Sequence, residues 1–341
     1  MAVTLRQIAN AAGLSVSAVS QIINRRECNF CSAARKNEVI NIARELGYKQ
    51  KFADKIKCGE STRTVAILKR NNLTMEVNSL IMLMLSLFEK IGYSCYVVNF
   101  PKNSDVLPRV QDMIDRGVER FVIMGAIFGG KESEDMKRHR ELISLLKRNH
   151  RTYVDYGDSR FHCVMQDFAP AVRATVKFFH KCGVENFRMM LPESGGRRET
   201  ALHSCFPELS PEEFRQKYLF HLGDIYSLDT VDDMVKTGYC KTAELLTLYP
   251  ETRGIYYLAD QFALGGVNYL LEHGITPGKD ILLAGFNDFA GVRYCGYPVS
   301  TAAHDLEALA EALVEESGKS EENRILIAPK IILRKDPVAL I

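Results

Sequence analysis

No stretch of this 341-residue sequence approaches the roughly 18 consecutive apolar residues that a membrane-spanning helix needs. The longest apolar-rich run, Leu80 to Phe88, is short and interrupted by Ser86, so no membrane partner is expected. The opening MAVTLRQIANAAG lacks a basic segment followed by an apolar one, which is the mark of a secretory leader; a cytoplasmic location is expected. Low-complexity tracts are also missing, and 46% hydrophobic with 25% charged residues is the composition of a chain that folds throughout. The nine cysteines are odd in number and scattered, which suits free thiols in a reducing compartment better than a disulfide framework. Cys28 and Cys31 have metal-ligand spacing, but no second CxxC or HxxxH pair follows them nearby, so neither a metal nor a cofactor is expected. The catalytic signatures GxSxG, GxxxxGKS and HExxH do not occur, and Gly129-Gly130 and Gly195-Gly196 are isolated pairs that suit turns. The expectation is a protein that is not an enzyme.

What the sequence does hold is uneven charge. The net charge is +2, yet over residues 1–63 Lys plus Arg outnumber Asp plus Glu 11 to 5, while the remainder has 33 against 37. A basic N-terminal segment is the part suited to meet phosphates. Its pattern is helical. Thr4 and Gln7 form a capping-box pair, and Leu5, Ile8, Ala9 and Ala12 follow at helical spacing. Gly13 supplies a turn, Leu14 points to a core, and Ser15 is an N-cap for a second helix carrying Val19, Ile22 and Ile23. A third helix starts near Ser32 and runs to Leu46, with Val39, Ile42, Ala43 and Leu46 on one face and Gly47 as its stop. Two short helices around a glycine turn, supported by a third, make a helix-turn-helix over residues 1–47. Residues 48–63 (YKQKFADKIKCGESTR) are polar and basic and read as a linker.

From Thr64 the sequence changes to short β-branched runs: TVAIL, SCYVVNF, RFVIMG, RTYVDY, FRMMLP, GIYYLA and DILLAGF. Between them lie amphipathic patterns such as Leu80–Ile91, Val106–Arg116 and Ala171–Cys182. Strands alternating with helices imply βαβ units on parallel sheets, and residues 64–341 are too many for one small sheet. Two α/β lobes are expected, roughly 64–162 with 291–320 and 163–290 with 321–341, with a cleft between them.

The opening TLRQIANAAGLSVSAVSQIIN resembles the reader segment of the lactose-repressor/galactose-repressor (LacI/GalR) family, typically T-x-x-D-[IV]-A-x-x-A-G-V-S-x-x-T-V-S-R-V-L-N. Ala9, Ala12, Gly13, Ser15, Val19, Ser20 and Asn24 match it without a gap. Far downstream, LADQFALGGVNYLLEHGITPGKDILLAGFND resembles that family's N-D-x-x-A-x-G…G-x-x-[VI]-P-x-D-[IV]-x-[VI]-x-G-[FY]-D-D stretch. The resemblance covers nearly the whole chain and ends without a C-terminal heptad segment. It implies an all-α helix-turn-helix DNA-binding domain joined to a two-lobed α/β domain like that of periplasmic binding proteins.

Residue by residue, the resemblance implies base reading by Val16, Ser17 and Gln21. Val16 suits a thymine methyl, Ser17 an adaptable hydrogen bond and Gln21 a bidentate pair to adenine; the family more often has Arg at position 21. Thr4, Ser15, Ser20, Asn24 and Arg25 would hold phosphates. Ala53–Gly59 (ADKIKCG) resembles the family's A-R-S-L-R-S-G hinge and puts Ile56 where a leucine wedges into the minor groove, although the spacing from Tyr48 is one residue short and the usual proline is missing. Asp260 matches the family's effector Asp and Arg198, in RRETA, its R-x-x-G arginine. Ala259 stands where the family has Asn, and KRNNLTMEVNS replaces its N-P-F-F-like loop after the first strand. Asn72, Asp155, Asp167 and Asn287 are further candidate effector contacts, as well as ordinary cap or turn residues.

The reading is a homodimeric, sequence-specific transcription regulator of repressor type. It would bind a near-palindromic double-stranded operator and answer to a small molecule, a sugar or related polyol, held between the lobes. Two alternatives stay open: a sugar-binding or sugar-modifying protein whose N-terminal helices serve dimerisation only, and a regulator of the same family without a small-molecule effector.

Overall fold

The computed structural model describes residues 3–24, 31–48, 61–70, 75–101, 105–125, 132–157, 160–193, 195–223, 225, 228 and 230–336. The N-terminal helices are α1 (Leu5–Ala12), α2 (Val16–Ile23) and α3 (Ala33–Glu45). Gln7 Oε1 accepts the Thr4 backbone N–H at 2.8 Å, closing the start of α1 as the capping-box spacing predicts. Gly13, at φ 63°, ends that helix in the left-handed region, where a Cβ costs about 1–2 kcal/mol. Ser15 Oγ accepts the Ala18 N–H and Ser32 Oγ the Arg35 N–H, so the two following helices also begin on serine caps. Ile8, Ala9, Ala12, Val19, Ile22, Val39 and Ala43 form the buried core. Arg35 reaches from α3 and donates to the Ala12 carbonyl. A carbonyl at the end of α1 that has no intrahelical partner is thereby satisfied, and the glycine turn is tied to the third helix.

The rest is α/β. In chain order it runs β1 (Thr64–Arg70), α4 (Met75–Lys90), β2 (Ser94–Phe100), α5 (Val106–Asp115), β3 (Arg120–Met124), α6 (Glu132–Arg148), β4 (Thr152–Tyr156) and β5 (Cys163–Gln166). It continues with α7 (Ala169–Lys181), β6 (Phe187–Leu191), α8 (Gly196–His203), α9 (Pro211–Tyr218), β7 (Leu219–His221), α10 (Val231–Leu248) and β8 (Gly254–Tyr257). It closes with α11 (Asp260–Glu272), β9 (Leu282–Ala284), α12 (Ala290–Arg293), β10 (Val299–Ala303), α13 (Leu306–Glu316), β11 (Arg324–Ile327) and β12 (Lys330–Ile332).

These strands make two six-stranded sheets, ordered β11-β5-β4-β3-β1-β2 and β12-β10-β9-β8-β6-β7. β12 runs antiparallel to β10, and the other described pairs are parallel. The limits expected near 162, 290 and 320 compare with β5 and β11 in the first sheet and β10 in the second. In the first sheet β1 pairs with β2 on one side and β3 on the other, and in the second β6 pairs with β7 and β8. At such reversals of strand order the loops leave in opposite directions and open a crevice at the strands' carboxyl ends.

The chain packs as two compact units, Met1–Asn71 with Leu85–Val154 and Ser317–Ser320, and Asn72–Met84 with Asp155–Glu316 and Glu321–Ile341. In the first, Val65, Ile67, Phe88, Phe121 and Ile123 are fully buried. In the second, the strands of the β6–β9 sheet are buried on both faces, as parallel sheets require. Phe187, Met189, Leu191 and Tyr256 join one apolar cluster, and Met190, Ile255 and Tyr257 join the other.

Helices α10 and α11 meet through glycine. A Cβ on Gly238 would lie 2.1 Å from the Phe262 carbonyl, and one on Gly265 would lie 2.0 Å from the Val235 carbonyl and 2.6 Å from the Tyr239 nitrogen. Backbone on both sides leaves nothing flexible to yield. Gly265→Ala should therefore lower stability by about 1–3 kcal/mol through overpacking, despite the roughly 1 kcal/mol that alanine gains in helix propensity. The urea midpoint measures this, and a midpoint at or above the parent's would show that the helices part freely.

Candidate functional site

Two groups of residues are candidates for function. The first is the outer face of α2. Val19 and Ile22 face the core, whereas Val16 is 44% exposed, Ser17 is exposed and Gln21 half-buried. The α-helical rotation of about 100° per residue puts Val16, Ser17, Ser20 and Gln21 on one side. The hydroxyls there differ in availability. Ser15 Oγ caps its own helix, and Asn24 Nδ2 donates to Ser20 Oγ at 3.2 Å. Helix α2 (VSAVSQII) has no charged side chain. Thr4 and Ser15 stand at the N-termini of α1 and α2, where free N–H groups and the helix dipole favour anions. Arg25 and Ile56 lie outside the described residues.

The second group lies in the second unit, at the carboxyl ends of β6 and β8, beside the reversal of strand order. Asp260 opens α11 with no solvent exposure. Its carboxylate accepts the Thr301 hydroxyl at 3.0 and 2.9 Å and the Phe289 N–H at 2.9 Å. The Asp260 N–H donates to the Phe286 carbonyl at 2.9 Å. A Cβ on Gly285 would lie 2.1 Å from Asp260 Oδ1, so only glycine lets the chain pass over this carboxylate. The next residues, Asn287 and Asp288, take φ of 104° and 52°, a conformation that asparagine and aspartate adopt more readily than other non-glycine residues. Three successive N–H groups hold them there: Asn287 to the Ala302 carbonyl, Asp288 to Thr301 Oγ1 and Phe289 to Asp260. Asp288 is itself held by the guanidinium groups of Arg293 and Arg334.

Arg198, on α8, donates to the Leu258 carbonyl at the end of β8. Its guanidinium lies 4.3 Å from the ring centre of Phe168 and 4.6 Å from that of Phe286, contacts that fix the plane of the group. Burial pulls its pKa down to about 10, which leaves it protonated at neutral pH. The exposed Arg197 donates to the Gln166 carbonyl at 3.0 Å and lies near the Phe168 ring. His304 joins the group from beyond β10, 2.9 Å from Gln166 Oε1, 3.1 Å from Asn287 Oδ1 and edge-on to Phe286. Burial, reinforced by Arg198, lowers the imidazole to about 4. A neutral imidazole offers one donor and one acceptor, so one of the two amides turns its NH₂ toward the ring.

Of the sequence-predicted contacts, Arg198, Asp260 and Asn287 are thus brought together. Asp167 Oδ1 accepts the Ala169 N–H at 3.0 Å, the capping role that its residue type suggests. Asp155 is fully buried at the end of β4, and Asn72 lies outside the described residues. Phe168, Gln166, Arg197, Phe286, Thr301 and His304 were not anticipated as site residues. Phe286 sits in the GFND segment and Arg197 in RRETA, which could have pointed to them; His304 and Gln166 lie in no such motif.

Other features carry less. A groove of about 530 Å³ in the first unit is lined by Leu107, Met136, Lys137, Arg140, Ser144 and Arg148, mostly long surface side chains. Among the described residues no group of three or more His, Cys, Asp or Glu is placed to hold a metal ion, and no helix is long and apolar enough to cross a membrane. Cys28 lies outside the described residues.

No family model matches the chain. It is 25% identical to the HTH-type transcriptional regulator GalR of Streptococcus thermophilus, over 96% of this chain and 94% of that protein. It is 20% identical to the HTH-type transcriptional repressor PurR of Haemophilus influenzae, over 97% and 98%. Among solved structures it is similar to the lac repressor dimer bound to operator and the anti-inducer ONPF, with a TM-score of 0.69 at 17% identity, covering 99% of this chain and 100% of that one. It is similar also to the transcriptional regulator CelR in complex with cellobiose, with a TM-score of 0.63 at 16% identity, covering 98% and 99%. The fold is that of a helix-turn-helix domain followed by a two-lobed α/β domain like that of periplasmic binding proteins.

Asp260 and His304 should act in opposite directions on stability. Burial raises Asp260 to about 7, against the lowering pull of the Phe289 and Thr301 hydrogen bonds. Between about pH 4 and 7 the folded state therefore keeps a proton that the unfolded chain releases, and stability falls as pH rises. His304, lowered to about 4, is neutral in the folded state while the unfolded chain is protonated up to about pH 6.5, so its contribution rises with pH. Asp260→Asn should uncover the rise from about pH 4 to 6.5, and His304→Gln the fall from about pH 4 to 7. Each slope is at most about 1.4 kcal/mol per pH unit. Urea unfolding across pH measures both; parallel profiles for parent and variants would show that neither group changes its proton on folding.

Proposed function

We propose that this chain, a member of the lactose-repressor/galactose-repressor family, is a sequence-specific DNA-binding transcription regulator of repressor type. It works in the cytoplasm as a homodimer on a near-palindromic operator and is controlled by a small molecule of the sugar or polyol kind. The observation that carries this reading is the exposed face of α2 standing opposite a closed three-helix core. Relatives matched along almost their whole length support it. No catalytic role is proposed, because those relatives are transcription regulators and no catalytic motif stands in the sequence.

On DNA, α2 enters the major groove and Val16, Ser17 and Gln21 meet base edges. Thr4, Ser15, Ser20, Asn24 and Arg25 position the helix against phosphates, and Ile56 belongs to the linker's minor-groove contact. One reader touches too few bases, so a second copy doubles the site. The exposed Tyr96 and Val97 on β2, an edge strand of the first sheet, are suited to be covered in such a dimer, since an edge leaves backbone groups unpaired.

The effector is met by Arg198 and Asn287, with Asp155, Asp167 and Asn72 as further contacts. Asp260 works from behind: its carboxylate holds the 287–289 loop in place rather than reaching the ligand. A ligand that favours one arrangement of α8 against this loop shifts the population of states, and with it the affinity for DNA.

Because α2 carries no charge, discrimination should rest on neutral contacts, with adenine under Gln21 and thymine methyl groups near Val16. Selection of bound sites from random DNA should return a near-palindrome, and Gln21→Ala should relax one position per half-site by about 1–3 kcal/mol. Equal weakening on every sequence would sink the base-reading role. No salt-dependent DNA binding at all would favour a sugar-binding protein that uses its N-terminal helices for dimerisation only.

A further inference from the structure

The donors and acceptors around Arg198 bear on the charge of the effector, provided that Arg198 meets the effector as proposed above. A neutral sugar presents hydroxyls, each both donor and acceptor, and a site for it needs free acceptors as well as donors. Here the acceptors are largely engaged within the protein. Both Asp260 oxygens are held by Thr301 and Phe289, without solvent exposure. Asp288 lies between Arg293 and Arg334, and Glu199 pairs with Arg215 at 2.6 Å. Gln166 Oε1 faces His304 while its NH₂ donates to the Ile327 carbonyl. Ala259 offers no polar side chain where the resemblance calls for an amide.

Arg198 is in the opposite condition. A guanidinium has five N–H groups in a rigid fork. Among the described residues Arg198 has one hydrogen-bond acceptor, the Leu258 carbonyl, and no carboxylate partner. Phe168 and Phe286 hold its plane, so the remaining N–H groups are oriented before any ligand arrives. A second guanidinium, Arg197, follows next to it in the chain and stands over the same Phe168 ring. An oriented fork with no carboxylate on it is the complement of a carboxylate or phosphate, which accepts two parallel hydrogen bonds. Two buried acceptors of the same unit stand without a hydrogen-bond partner among the described residues, Gln261 Oε1, beside Asp260 in the chain, and Glu76 Oε2. A carboxylate oxygen with capacity to spare suits a hydroxyl.

We propose that the effector is an oxyanion-bearing sugar derivative, a sugar acid or sugar phosphate, whose charged group is received by Arg198 with Arg197 beside it and whose hydroxyls are met by Glu76.

The test uses the full-length protein and a panel in which each hexose or pentose appears as the neutral sugar, the uronate or aldonate, and the phosphate ester, with inorganic phosphate alone as a further arm. Thermal shift and calorimetry should give binding only in the anionic arms, and the uronate and phosphate arms tell the two oxyanions apart. Arg198→Gln should weaken that binding by about tenfold or more, as loss of a charge-assisted fork does. If Arg198→Gln does not fold, the exposed Arg197→Gln serves instead and should weaken it severalfold. A neutral sugar binding as well as its anionic counterpart, no compound binding, or unchanged binding in the arginine variants would overturn the proposal. An equal shift from inorganic phosphate alone would overturn its sugar half. Operator affinity measured in the same samples separates the two readings. A neutral sugar that releases DNA refutes only the charge assignment, whereas an anionic sugar that binds at Arg198 and leaves DNA affinity untouched refutes control by this site.

Discussion

The second unit turns on one buried carboxylate. Removing Asp260 from water is unfavourable unless its lone pairs are satisfied, and they are satisfied by the Thr301 hydroxyl and the Phe289 N–H. That requirement fixes more than one bond. It holds two successive non-glycine residues in the left-handed region, ties their loop to β10, and sets Phe286 where its ring meets Phe168, Arg198 and His304. Because β8 ends at this point, the same carboxylate also sets where α11 begins, and the glycine-lined crossing with α10 follows from that start.

The helix-turn-helix solves a different problem with fewer residues. Its core of seven buried side chains is thin, so polar groups at the chain reversals take on much of the definition. Serine hydroxyls start two of its helices, and Arg35 closes the end of the first. The apolar stripe leaves a face that owes nothing to the core. The side chains on it can vary without cost to folding.

Much of this was legible in the sequence, and the reasons are local. Thr4, Gln7, Gly13, Ser15 and Ser32 act within a few residues of themselves, so spacing alone reveals the three helices. The runs SCYVVNF, RTYVDY and GIYYLA are β-branched or aromatic enough to announce strands, whereas β5, β7, β10, β11 and β12 carry no such run in the reading above. The Arg198 cluster depends on pairings such as His304 with Gln166, far apart in sequence, and no periodicity encodes them. The role of Asp260 shows the same limit. Its position was apparent from the residues around it, but that its carboxylate faces inward depends on Thr301 and Phe289, which only the fold brings close.

The strand order has a further bearing on how the molecule is made. β11 pairs with β5 and β12 with β10, so each sheet takes an edge strand from the last part of the described chain. As the polypeptide emerges from the ribosome, the N-terminal helices can close early on local contacts. Neither sheet can complete its hydrogen bonding until residues 324–332 have appeared. A nascent chain would thus hold a folded three-helix domain while the α/β body that follows it is still unfinished.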